Sequence, residues 1–143
     1  MSEDFKNPEL SEIKTILQQV KTIAVMGLSP KENRPSYRVA RHLQSYGYRV
    51  IPVRPAIDEV LGEKAFSNLG DVTSKIDLVD VFRAPDKISP VIDICIEKNI
   101  PYLWLQDGVV NHSEALRAQA AGIFVVMDRC IYRDYKELLN SEI

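Results

Sequence analysis

Apolar residues follow two patterns along this chain. Ile13, Ile16, Leu17 and Val20 recur at the i, i+3, i+4, i+7 spacing of one helix face, and Asn7 with Pro8 supplies a cap and a first-turn proline. The run that starts at Thr22 is instead short and continuous, and it ends in Gly27 and Ser29, as a strand entering a turn does. Helical spacing returns after Pro35 with Val39, Leu43 and Tyr46 and stops at Gly47. Residues 48–53 then read as a second strand, DLVDVFR from Asp77 holds a third, YLWLQ from Tyr102 a fourth and IFVVMD from Ile123 a fifth. Between them, Ser89 and Pro90 open one helix, and Asn111 with Glu114 three residues on opens another as a capping box would. A last helix carries Tyr132 to Leu139, and residues 54–68, broken by Pro55 and Gly62, read as a loop with a short strand.

Strand and helix alternate, and the strands are apolar on both faces. That combination predicts an α/β, Rossmann-like doubly wound sheet of five parallel strands with helices on both faces. The expected strand order is 3-2-1-4-5, with residues 1–143 as one domain and a helix within residues 1–21 added to one face. In such a sheet a ligand lies beyond the carboxyl ends of the strands, near a switch point expected between the first and fourth strands.

Composition narrows the function. A net charge of -2 gives no general pull toward nucleic acid or an anionic membrane. Two cysteines and two histidines without ligand spacing argue against a metal site. No apolar run approaches the roughly 20 residues of a membrane span, and the polar start of the chain does not read as a leader, so a cytoplasmic protein is expected. Charge is nonetheless uneven: Lys31, Arg34, Arg38, Arg41, Arg49 and Arg54 face only Glu32 in that stretch. Arg34, Arg38 and Arg41 also fit a solvated helix face.

The turn GLSPKENRPS after the first strand is the first candidate site. Gly27 and Leu28 begin it; Ser29, Arg34 and Ser36 add donors suited to a phosphate; the helix from Pro35 aims free N–H groups at the crevice. The turn lacks G-x-G-x-x-G, and Val53-Arg54-Pro55 stands where an NAD site wants an acid. Arg54 suits a phosphate on an adenosine ribose, as in NADP or coenzyme A, and the missing glycines weigh against NADP.

GLSPKENRPSYRVARHLQSYGYRVIPVRP, DLVDVFR, LWLQDGV and VVMDRC resemble, in that order, the small stand-alone CoA-binding domain proteins. These are similar in fold to the N-terminal CoA-binding domain of the succinyl-CoA synthetase alpha subunit. The resemblance implies coenzyme A or an acyl-CoA across the strand ends, bound without catalysis by this chain alone. By position, Gly27, Leu28, Ser29, Arg34 and Ser36 would line its phosphates, and Val53, Arg54 and Pro55 its adenosine. Phe82 and Arg83 would close the site, and Gln106 and Gly108 would follow the pantetheine. A lysine that meets the nucleotide phosphate in the synthetase domain is replaced here by Ala56 and Ile57, so that contact comes from Arg54 or is absent. No catalytic residue is assigned, the partner is the small molecule, and homodimerisation stays open. An NADP-linked protein and an enzyme acting on a CoA thioester are the alternatives.

Remaining residues carry both structural and functional readings. Cys130 is a half-buried structural cysteine or a thiol that Arg129 activates beside the ligand. Cys95 and Trp104 read as core, and His42 and His112 as surface. Asp80 interrupts an apolar strand and is expected either to find hydrogen-bond partners or to reach the crevice.

Overall fold

The computed structural model describes residues 4–140. Its parallel sheet consists of β1 (Thr22–Met26), β2 (Arg49–Val53), β5 (Leu78–Val81), β6 (Tyr102–Leu105) and β7 (Phe124–Met127). β3 (Glu59–Val60) and β4 (Glu63–Lys64) form a small separate antiparallel ribbon. The helices are α1 (Leu10–Gln19), α2 (Pro35–Ser45), α3 (Ser89–Glu97), α4 (His112–Ala120) and α5 (Ile131–Tyr135), the last running into a π-helical turn over Lys136–Asn140. Alternate strand positions feed two apolar layers. Ala24, Val79, Leu103 and Val125 pack with α3 and α4; Val25, Leu78, Trp104 and Val126 pack with α1, α2 and α5. The α/β, doubly wound parallel sheet read from the strand pattern is the fold observed.

The strand order differs from the expected one. The sheet runs β2-β1-β5-β6-β7, so the third main strand lies beside the first instead of outside the second. The outer edge of β2 is already taken by the returning end of the loop that follows it: Arg54 donates its N–H to Phe66 O at 2.8 Å, and Phe66 donates to Pro52 O at 2.9 Å. β5, whose four residues are all buried, therefore takes the centre. The switch point moves with it, to the gap between β1 and β5.

Two local expectations also change. Asn7 does not cap α1; Glu9 and Glu12 do so with a reciprocal capping box. The Asn7 amide instead imitates a strand residue along the edge of β7, donating to Met127 O (2.8 Å) and accepting from Met127 N–H (2.7 Å). Phe5, just before it, is buried, and its N–H donates to Nδ1 of His112 at 3.0 Å. The chain start thus shields a sheet edge that would otherwise be open to pairing. Asn7→Ala removes both bonds and is expected to cost roughly 1–3 kcal/mol, read in urea unfolding, with faster hydrogen exchange at Met127 N–H. Unchanged exchange there would show that Asn7 does not hold this edge. Asn111, by contrast, caps α4 as read, accepting from Glu114 N–H at 3.2 Å.

Candidate functional site

A cleft of about 510 Å³ opens at the carboxyl ends of β1, β2 and β5. Its floor is the β1–α2 turn, where the chain must bend sharply beside β5. Gly27 adopts a φ of 79°, donates its N–H to Val53 O at 2.9 Å, and leaves so little room that a Cβ would stand 2.3 Å from the carbonyl oxygen of Phe82. Only glycine meets both demands.

The turn is held from within. Ser36 is buried, and its hydroxyl accepts from Ser29 N–H at 2.9 Å, while the Ser29 hydroxyl accepts from Lys31 N–H at 3.1 Å. Arg34 N–H closes the loop on Lys31 O at 3.0 Å. The cap position of α2 is held by Arg34, whose side chain carries no acceptor, and no side chain makes a cap bond there. The first N–H groups of α2 and the positive end of its dipole therefore face the cleft. Lys31, Arg34 and Arg54 add three cations to the lining. None of them makes an ion pair among the described residues. Pro55, Ala56 and Ile57 form the opposite wall, and Phe82 closes the β5 side.

Of the candidate residues, Gly27, Ser29, Arg34, Ser36, Arg54, Pro55 and Phe82 share this cleft. Leu28 and Val53 do not line it: at 0% and 1% exposure their side chains are core, and Val53 contributes its carbonyl to Gly27. Arg83, expected to close the site, does not line the cleft, although its Cδ stands 3.5 Å from where a Gly27 Cβ would be. Gln106 is buried, and its Oε1 accepts from Ile131 N–H at 3.0 Å, so it fastens α5 to β6. Gly108 donates its N–H to Asp128 Oδ1 at 2.8 Å. Pro30, Lys31, Pro35, Ala56 and Ile57 join the lining without having been singled out for it. For Lys31 the basic run was the available signal.

The other polar candidates are mostly committed elsewhere. Arg129 binds Asp134 through Nε (2.6 Å) and Nη2 (2.9 Å), so its charge is not directed at Cys130. Arg133 grips Asp107 with both nitrogens at 2.9 and 3.0 Å. Burial pushes the Cys95 thiol up to about 12, and Trp104 is wholly buried with its indole N–H on Arg129 O at 2.7 Å; both are core as read. His42 is half-buried, stacked on Tyr132 with ring centroids 4.0 Å apart, and His112 takes the Phe5 N–H, so neither is a free surface histidine. Asp80 departs furthest from expectation: it is 0% exposed, has no hydrogen-bond partner among the described residues and does not reach the cleft. Burial pushes its carboxyl well above the usual range, because the interior disfavours the charged form.

The open α/β sheet, the uncapped α2 and the cation-lined turn together form a strand-end cleft whose chemistry suits an anion such as a phosphate. Residues 21–136 match the family model described as a CoA binding domain, and the chain belongs to that family. It is 43% identical over 127 residues to the uncharacterized protein YneT of Bacillus subtilis, covering 89% of this chain and 94% of that one. It is 30% identical over 81 residues to an ADP-forming acetate–CoA ligase of Methanocaldococcus jannaschii, covering 56% of this chain but only 11% of the ligase. A solved hypothetical protein from Pyrococcus horikoshii superposes with a TM-score of 0.90 at 33% identity, covering 96% of this chain and 99% of that one.

Proposed function

We propose that this protein binds coenzyme A or an acyl-CoA in the β1–α2 cleft and carries out no chemistry on it by itself. The uncapped N-terminus of α2, surrounded by three cations that no carboxylate neutralises among the described residues, carries the reading. Such a site suits a pyrophosphate, whose negative charge meets free N–H groups and the helix dipole together. The wall of Pro55, Ala56 and Ile57 offers an apolar face to an adenine ring, and Arg54 beside it suits a phosphate on the ribose. The ligase relative supports the ligand class only. The matched region is 11% of its length, and the ligase reaction stays with that protein.

Calorimetric titration with CoA, 3′-dephospho-CoA and NADP tests the reading. CoA is expected to bind, and loss of its 3′-phosphate to weaken binding by about tenfold or more, the value of one charge-assisted contact. Binding of NADP in preference to CoA would assign the cleft to a nicotinamide dinucleotide. Heat from none of the three would sink the proposal.

A further inference from the structure

Asp80 occupies the middle strand of the sheet, paired in register with Val25 of β1 on one side and Trp104 of β6 on the other. Among the described residues neither of its oxygens finds a hydrogen-bond partner, and no part of the residue is exposed. It lies on the face covered by α1, α2 and α5, with Leu78 before it and Phe82 after it. The buried apolar groups that α1 and α2 press into this layer are Ile13, Ile16, Leu17, Val39, Ala40 and Leu43, and Tyr37 of α2 packs against it partly buried. The titratable or charged groups reaching the layer are Tyr37, His42 at the α2–α5 boundary, Tyr46, Tyr48, Tyr102, Cys130, Tyr132, Tyr135 and Asp134, the last paired with Arg129. Burial pushes the Asp80 carboxyl well above the usual carboxylate range.

A carboxylate at this position would need water. β1 and β6 flank Asp80 on the sheet, and the layer of α1, α2 and α5 covers its face. α5 is the shortest α-helix among the described residues: it is five residues long and passes at once into a π-helical turn. It is fastened by the Gln106 bond to Ile131 and by the Arg129–Asp134 and Arg133–Asp107 pairs. α2 belongs to the same layer, and its first turn carries Ser36, which shapes the floor of the cleft.

We propose that Asp80 is a buried proton switch: protonated, it lets α2 and α5 close on the sheet; deprotonated, it forces that layer open and loosens the α2 end of the cleft. In the step the carboxyl O–H bond breaks, the proton passes to water and the electron pair stays on the carboxylate. The sign follows from linkage. The unfolded chain gives up this proton at an ordinary carboxylate pH while the folded chain keeps it. The contribution of Asp80 to stability is therefore most favourable at low pH and is lost as pH rises through the folded pKa. Binding in the cleft, which favours the closed layer, should raise that pKa, and ionisation should weaken binding by the same factor. This last effect rests on the CoA reading; the opening of the layer does not.

Trp104, the single tryptophan of the chain, faces Asp80 across the β5–β6 register and reports on it. The experiment follows its fluorescence from about pH 5 to about pH 10 in the wild type and in Asp80→Asn. The Asp80 carboxyl carbon is followed by NMR in the wild type, and CoA is titrated at both ends of the range. The expected result is a Trp104 transition that shares its midpoint with the carboxyl carbon, sits above the ordinary carboxylate range and is absent from Asp80→Asn. CoA affinity should fall roughly tenfold across it in the wild type alone. The same Trp104 transition in Asp80→Asn, or a carboxyl carbon that titrates as a free aspartate, would overturn the switch. So would a wild type whose Trp104 signal stays constant until the whole chain unfolds. Should Asp80→Asn fail to fold, the carbon titration on the wild type decides. CoA that binds at neither pH overturns the cleft reading and leaves the switch to be judged on Trp104 and the carbon signal.

Discussion

Gly27→Ala is expected to destabilise the protein by roughly 2–5 kcal/mol, the sum of a left-handed backbone and an overpacked contact. The φ of 79° alone costs any L residue about 1–2 kcal/mol. The added methyl would also stand 2.3 Å from Phe82 O, and neither backbone can yield cheaply. Phe82 is tied to β1 by its N–H on Met26 O (2.9 Å), and Gly27 to β2 by its N–H on Val53 O (2.9 Å). Gly47 supplies the control. It has a φ of 97° and nothing within 4 Å of the place a methyl group would take, so Gly47→Ala should show the backbone cost without the clash. Urea unfolding of both variants separates the two contributions. Equal losses would show that the β1–β5 gap is not tight at this point, and that the turn is built on glycine for its φ alone.

The strands were legible because each is a short apolar run closed by a turn residue, and burial on both faces leaves little room for another reading. Their order was not. Nothing in LVDVF says which neighbour it will pair with; the order was decided by residues 54–66, whose return along the β2 edge leaves the centre to β5. Asn7 shows the same limit at a single side chain. An Asn-Pro pair before an apolar stripe has the form of a helix cap, yet the amide can equally imitate a peptide group and complete a sheet edge.

The site divided along similar lines. Gly27, Ser29, Arg34 and Ser36, which phosphate chemistry and turn geometry single out together, line one cleft. Ala56 and Ile57 were not singled out, since Ala56 lines the cleft through a φ of 67° that alanine does not advertise. Leu28, Val53 and Gln106 stand at strand ends, as the fold requires of ligand residues. The side-chain direction at each, however, sends it into the core or toward α5. Asp80 was visible as an anomaly in an apolar strand, but the rule that buried acids find partners pointed the wrong way.

The three cations of the cleft should separate by role when CoA and 3′-dephospho-CoA are titrated side by side. Arg54 follows β2 on the wall opposite α2, and the proposed ligand puts its 3′-phosphate there. Arg54→Ala is therefore expected to lower CoA affinity by about tenfold or more, as one charge-assisted bond of roughly 1.5–3 kcal/mol requires. It should leave 3′-dephospho-CoA almost unaffected, because that ligand has nothing for Arg54 to hold. Arg34 stands at the start of α2 with the free N–H groups, where the pyrophosphate common to both ligands would lie. Arg34→Ala should weaken both by a similar factor, and Arg34→Lys should restore only part of the loss, since lysine lacks the planar fork. Folding stability should move by no more than about 0.5 kcal/mol in each variant, because neither arginine is in an ion pair among the described residues. If Arg54→Ala weakened both ligands equally, Arg54 would belong to the pyrophosphate and the ribose phosphate would have to turn toward Lys31. If Arg34→Ala changed neither, the N-terminus of α2 would not be the phosphate site, and the cleft would have to hold its ligand by the apolar wall of Pro55 to Ile57 instead.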